Sequence, residues 1–152
     1  MPLYLVRHAK AGSRHDYDGA DRDRPLTKAG RAQAEQLAQR LAGEPISRLL
    51  SSPYLRCRQT IEPLAGLAGL AVEDCDALVE GAMWGPALAL LEELPDHAVL
   101  CSHGDLIPDV IAALERRGTV IDGDADWRKG TMWVIERDGD KLARAHVLAP
   151  PD

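Results

Sequence analysis

Two histidines and two arginines fall where an anion can reach them. Arg7 and His8 follow the apolar run Leu3–Val6 in "LYLVRHAKAGS", and His103 follows the apolar run of "AVLCSHGD". Each histidine thus lies just past the carboxyl end of a predicted buried strand, which is where ligands bind in open α/β sheets. The small-residue turns "AKAGS", ending at Ser13, and "SHGD", containing Gly104, bring backbone amides and a following helix N-terminus to the same edge. Arg56 and Arg58, in "SSPYLRCRQT", come after another short strand. Taken singly, each residue also fits a plainer role, a satisfied structural histidine or a solvated helix arginine. Together, a guanidinium fork near Arg7 and two imidazoles concentrate positive charge in an acidic protein, and such a pocket suits phosphate.

The elements that must hold these side chains follow an α/β grammar of short apolar runs alternating with helical periodicity. Leu3–Val6 does not alternate and reads as a strand buried on both faces. From Thr27, a plausible N-cap, Ala34, Leu37, Ala38 and Leu41 recur at helical spacing until Gly43. "SRLLSS" is a second strand. Ser52 and Pro53 read as the cap and first turn of the next helix, and Pro63 predicts a kink there or an early end. Pro86–Leu94 is a helix with Leu88 and Leu91 inward, "HAVLCS" is a strand, and Asp105 caps a helix carrying Leu106, Val110, Ile111 and Leu114. "GTMWVIER", Asp138-Gly139 and "KLARAHVL" form a hairpin signature. The Asp-rich stretches His15–Pro25 and Gly118–Lys129 read as surface loops.

Composition narrows the chemistry. The 152 residues suit one domain with one core, spanning 1–152. With 45% hydrophobic and 28% charged residues and a net charge of −6, the chain reads as a globular protein and not as a nucleic-acid binder. Cys57, Cys75 and Cys101 are odd in number, widely spaced and without a CxxC pair, which argues against disulfides and structural zinc and for a cytoplasmic location. No apolar stretch approaches the roughly 20 residues that cross a bilayer, so no membrane partner is expected.

The motifs in series resemble the histidine phosphatase (phosphoglycerate mutase-like) superfamily, on its SixA-type phosphohistidine phosphatase branch. "VRHAKAG", "RPLTKAGRAQAEQLAQRL", "SSPYLRCRQTIEPLA", "LVE" and "CSHGDLIPDVI" occur in family order over more than two-thirds of the chain. "RKGTMWV", "RHAKAGS" and "EPLA" are most similar to actinobacterial members, some of which lie behind a Nudix hydrolase domain. The resemblance implies phosphoryl transfer to His8, with Arg7, Arg56 and His103 around the phosphate oxygens. The chemistry agrees. An imidazole attacks phosphorus without a metal, and a loose in-line transition state asks mainly for positioning and positive charge. His103 contributes most as a cation, which bound phosphate favours.

Glu80, in "ALVEG", matches by order the family's proton donor for poor leaving groups; its plain alternative is an exposed glutamate. SixA-type members often lack such an acid, because imidazole leaves phosphorus more readily than an alkoxide. Lys10 departs from the acidic residue many relatives carry after R-H-G. The segment after Glu80 is too short for a lid, which implies a wide pocket open to a phosphorylated protein or a small phosphorylated substrate. Arg128 and Lys129 read either as a site for a second phosphate or as a basic rim.

Other chemistries fail on spacing. Neither Cys57 nor Cys101 is followed by arginine six residues on, and Asp122, Asp124 and Asp126 lack the glycine and glutamate of a calcium loop. Arginines beside His8 and His103 would repel a metal, and no cofactor is expected. His15, His97 and His146 have no partner pattern. The reading is therefore a three-layer α/β/α sandwich with a mostly parallel central sheet and a C-terminal hairpin, acting as a metal-independent phosphatase. Hydrolysis of nucleoside diphosphates or other small esters, and a phosphate-binding module without turnover, are its alternatives.

Overall fold

The computed structural model describes residues 1–152. In chain order the elements are β1 (Pro2–Arg7), α1 (Lys28–Arg40), β2 (Leu49–Ser51), α2 (Leu55–Ala68), β3 (Val72–Asp74), α3 (Trp84–Glu93), β4 (Val99–Ser102), α4 (Leu106–Arg116), β5 (Val120–Ile121), β6 (Met132–Asp138) and β7 (Lys141–Leu148). Short 3-10 turns occupy Asp21–Asp23 and Asp76–Leu78. One sheet runs β3-β2-β4-β1-β6-β7-β5. The β3/β2, β2/β4, β4/β1 and β5/β7 pairs are parallel, whereas β6 is antiparallel to both β1 and β7.

Successive residues of β1 point to opposite faces, and both faces are covered. Leu3 and Leu5 join a cluster with Leu88 and Leu91 of α3 and Leu106, Val110 and Leu114 of α4. Tyr4 and Val6 join Leu37 and Ala38 of α1 and Cys57, Ile61 and Leu64 of α2. That division gives the three layers, and it explains why β1 reads as an unbroken apolar run. The cysteines are free, with Cys57 and Cys101 in the core.

Register then sets the functional edge. Val6 and Ser51 both pair with Cys101, and Arg7 pairs with Ser102. Three strands therefore end at one level, and His8, Ser52 and His103 follow side by side. Thr27 caps α1 as its sequence predicts, its Oγ accepting from the Gly30 N–H at 3.0 Å.

Several expectations need correction. Helix α2 starts at Leu55 after Tyr54, so Ser52 lies outside it and its hydroxyl is engaged elsewhere. The same helix runs through Pro63 to Ala68 without ending early. The carbonyl that Pro63 leaves without an intrahelical donor belongs to half-buried Gln59. Asp105 precedes α4 but makes no side-chain cap; its Oδ2 instead accepts from the Gly81 N–H at 2.7 Å. In the hairpin, Asp138 pairs with Lys141, so the loop is Gly139-Asp140. Gly139, at φ 62, supplies the positive φ at the first loop position, as a type II′ turn requires. Both segments read as loops hold structure: a 3-10 turn at Asp21–Asp23 and strand β5. Strand β3 is likewise additional, too short for periodicity to reveal.

Candidate active site

His8 leaves β1 with its main chain held on several sides. Its N–H donates to Ser102 O at 3.1 Å, its carbonyl accepts from the Gly130 N–H at 3.0 Å, and the next amide, Ala9 N–H, donates to Thr60 Oγ1 at 3.0 Å. Nδ1 of the imidazole lies 2.8 Å from Ala9 O. A carbonyl can only accept, so Nδ1 carries the proton and Nε2 of the neutral ring keeps its lone pair. Burial, with His103, Arg56 and Arg7 adding positive charge nearby, pushes the His8 pKa down to about 3, against a partial opposing effect of the Ala9 carbonyl. The ring is thus a neutral base at physiological pH.

Around it the positive groups converge. Arg7, His8, Arg56 and Glu80 line one cavity of about 380 Å³, and Ser13, Gly104 and Lys129 complete much of its wall. Arg7 donates through Nη1 to Trp127 O, and burial lowers its pKa while Asp105 pulls the other way. Gly104 permits this arrangement, because a Cβ there would lie 2.5 Å from the Arg7 Cζ. His103 stands next to His8, with ring centroids 5.5 Å apart, and is 1% exposed. Three buried nitrogens at this edge, Arg7 Nε, Arg56 Nε and His103 Nδ1, have no hydrogen-bond partner. Unpaired buried donors are costly, and their concentration here is what an oxyanion site requires.

Arg56 is fully buried on α2 and held from three directions. Its Nη1 donates to Asp21 O at 2.9 Å, its Nη2 donates to Asp21 Oδ2 at 3.1 Å and Glu80 Oε2 at 3.4 Å, and its guanidinium lies 5.0 Å from the Tyr54 ring centroid. Glu80 Oε1 accepts from Arg14 Nη2 at 2.9 Å. Both Glu80 oxygens therefore act as acceptors for guanidinium groups. Asp21 is the hub: it also accepts from Arg24 Nε at 2.9 Å, and although burial opposes it, Arg24, Arg56 and Arg14 together lower its pKa.

Of the residues singled out by sequence, Arg7, His8, Ser13, Arg56, Glu80, Gly104 and Lys129 line this cavity; Arg58 instead pairs with Asp74, and Lys10 and Arg128, the latter donating through Nε and Nη2 to Asp126, line a neighbouring cavity. His103 lies against His8 without lining the cavity itself. Lys129 lines both cavities. His15, which had no partner pattern, stands at the rim.

Sequence reasoning missed Asp21, Arg24, Arg14, Thr60 and above all Ser52, whose Oγ shares a 2.8 Å hydrogen bond with His103 Nε2. The run "SPYLRCRQT" did carry the signal. Ser52 orients His103, Arg56 enters the cavity, Gln59 Oε1 accepts from the Leu26 N–H, and Thr60 holds Ala9. No group of three or more His, Cys, Asp or Glu side chains is placed to hold a metal ion, and no helix is long and apolar enough to cross a membrane.

This fold, with histidines at the ends of adjacent parallel strands, defines a known class. The chain belongs to the histidine phosphatase superfamily (branch 1), whose family model matches residues 3–97. Among relatives, it is 37% identical over 156 aligned residues to the 8-oxo-(d)GTP phosphatase of Mycolicibacterium smegmatis, covering 99% of this chain but 48% of that protein. The chain thus spans about half that relative's length. Among solved structures, a protein designated SixA from Agrobacterium tumefaciens superposes with a TM-score of 0.76 at 27% identity, covering 99% of this chain and 98% of that one. The protein histidine phosphatase SixA complexed with tungstate has the same fold, at TM-score 0.76, 22% identity and 98% and 95% coverage.

Proposed function

We propose that the chain is a metal-independent phosphatase, its residues 1–152 one catalytic domain, in which Nε2 of His8 takes the phosphoryl group. The observation that carries this reading is the Nδ1–H bond to Ala9 O in a ring that burial keeps neutral, which leaves Nε2 unprotonated, its lone pair free, in the cavity lined by Arg7 and Arg56. Nε2 forms a bond to phosphorus as the bond from phosphorus to the leaving group breaks, the leaving group departing with its electron pair. Arg7, Arg56 and His103 hold the equatorial oxygens. Water then attacks phosphorus, loses a proton and releases inorganic phosphate, which regenerates the imidazole.

The engagement of both Glu80 oxygens by Arg14 and Arg56 favours substrates whose leaving groups need little protonation. A phosphohistidine side chain on another protein, the SixA-like reading, meets that condition. A second reading, a nucleoside diphosphate or similar small phosphate, meets it too, and is favoured by the match of nearly the whole chain to a relative named for nucleotide hydrolysis.

Hydrolysis of p-nitrophenyl phosphate in excess chelator tests the chemistry. Wild type should turn over, trap an acid-labile, base-stable phosphohistidine, and lose both properties in His8→Ala. Undiminished turnover in His8→Ala, or a requirement for added divalent metal, overturns the reading.

A further inference from the structure

A second cavity, of about 680 Å³, adjoins the first and shares Arg7 and Lys129 with it. Its other charged walls are Lys10, Arg128 and Asp152, and Ala29 in the first turn of α1 borders the same space. Arg128 is neutralised by Asp126 at 2.6 Å. Lys10 and Lys129 belong to no ion pair. In a chain of net charge −6, two unpaired lysines, a shared arginine and the positive end of a helix meet there with one lining carboxylate. The Lys129 ammonium is disfavoured by burial and by Arg7, Arg24 and Arg56, so an anion would relieve it.

The backbone that carries Lys10 is rigid. Its N–H donates to Gln33 Oε1 at 3.0 Å, its carbonyl accepts from the Thr27 N–H at 3.0 Å, and buried Gln33 donates through Nε2 to Pro151 O at 3.3 Å. Gly30 packs so closely on the Lys10 carbonyl that a Cβ would lie 1.9 Å from its oxygen.

We propose that the second cavity binds the second phosphate of a phosphoanhydride, so that a nucleoside diphosphate or inorganic pyrophosphate seats its terminal phosphate beside His8 and the adjoining phosphate between Lys10 and Lys129. The inference rests on the reading of His8 as phosphoryl acceptor. Nε2 bonds to the terminal phosphorus, the bridging P–O bond breaks, and the bridging oxygen leaves with its electron pair on the monophosphate. Water then cleaves the Nε2–P bond, so that diphosphate and water yield monophosphate and orthophosphate. The leaving group is a phosphate and needs no strong acid, in keeping with the engaged carboxylate of Glu80.

The test compares wild type, Lys10→Ala and Lys10→Glu on ADP, inorganic pyrophosphate and p-nitrophenyl phosphate. Lys10→Ala should lower kcat/KM for the two diphosphates about tenfold, mainly through KM, and Lys10→Glu further, as expected for loss of one charge-assisted contact. Its p-nitrophenyl phosphate turnover should stay within about twofold of wild type. Equal effects on all substrates, or none on the diphosphates, overturn the subsite. Calorimetric titration of His8→Ala separates binding from chemistry. It should bind ADP about tenfold more tightly than AMP, and His8→Ala/Lys10→Ala should lose that preference. Failure of wild type to turn over any ester defeats the catalytic reading while the binding ratio still decides the subsite.

Discussion

His8 and His103 stand edge to face at the carboxyl ends of adjacent parallel strands, their ring planes at 67° and their centroids 5.5 Å apart. The register that pairs Arg7 with Ser102 puts them there. One ring has its proton directed into the main chain, and the other is bonded at Nε2 to a serine. Neighbouring imidazoles are thus given different tasks by their second nitrogens.

His8 should stay unprotonated far below the ordinary histidine range. NMR titration of its ring should give a midpoint near pH 3; one near 6.5 would reject the buried neutral ring. The unfolded chain binds a proton to this residue at about pH 6.5 and the folded chain only near 3. The unfolded state therefore holds more protons in that window. Stability is complete above about pH 6.5 and falls as pH drops towards 3, by on the order of a few kcal/mol in all. Chemical denaturation at pH 7 and pH 4.5 measures the difference, and His8→Ala should flatten it.

Ser52→Ala should free His103 to turn. Loss of the hydrogen bond that orients this ring is expected to lower kcat about 10- to 100-fold with KM changed less than about threefold. Ser52→Thr, which keeps the hydroxyl, should recover part of the rate. A loss borne by KM alone would remove Ser52 from a positioning role.

Two glycines separate activity from folding. Gly104→Ala drives a methyl into the Arg7 guanidinium, which can shift, so kcat/KM should fall at least about tenfold while the protein remains folded. Gly30→Ala drives one into the Lys10 carbonyl, which is main chain, so stability should fall by on the order of 3 kcal/mol, a Tm drop of roughly 10 °C. Thermal melts with parallel assays distinguish the two; an unchanged Tm in Gly30→Ala contradicts the close approach.

Glu80→Gln tests the proton donor. If Glu80 protonates poor leaving groups, alkyl phosphates should slow about 10²-fold and aryl phosphates far less. Equal, small losses on both would leave Glu80 as a positioning residue for Arg56, through their 3.4 Å contact.

The helical and strand grammar was legible because apolar spacing records which faces are buried, as in β1, α1 and α4. The strand ends bearing His8 and His103 were legible for the same reason, since a polar residue closing an apolar run marks the end of a buried strand. Ser52 was misread because serine before proline is an ordinary helix cap, and nothing local says that α2 starts three residues later. Asp21 was missed because an acidic residue in a polar stretch looks solvated until an arginine 35 positions away is found against it.

What the sequence determined by itself is the order of elements and the inventory of reacting groups, both properties of residues and near neighbours. Which groups meet depends on strand register and helix packing, interactions between residues from 24 to 120 positions apart that local spacing does not encode. Pairing of β1, β2 and β4 brought Ser52 to His103. The fold's low-dielectric interior, absent from any isolated peptide, made the His8 ring neutral. The tail folding back on Gln33 walled the second cavity.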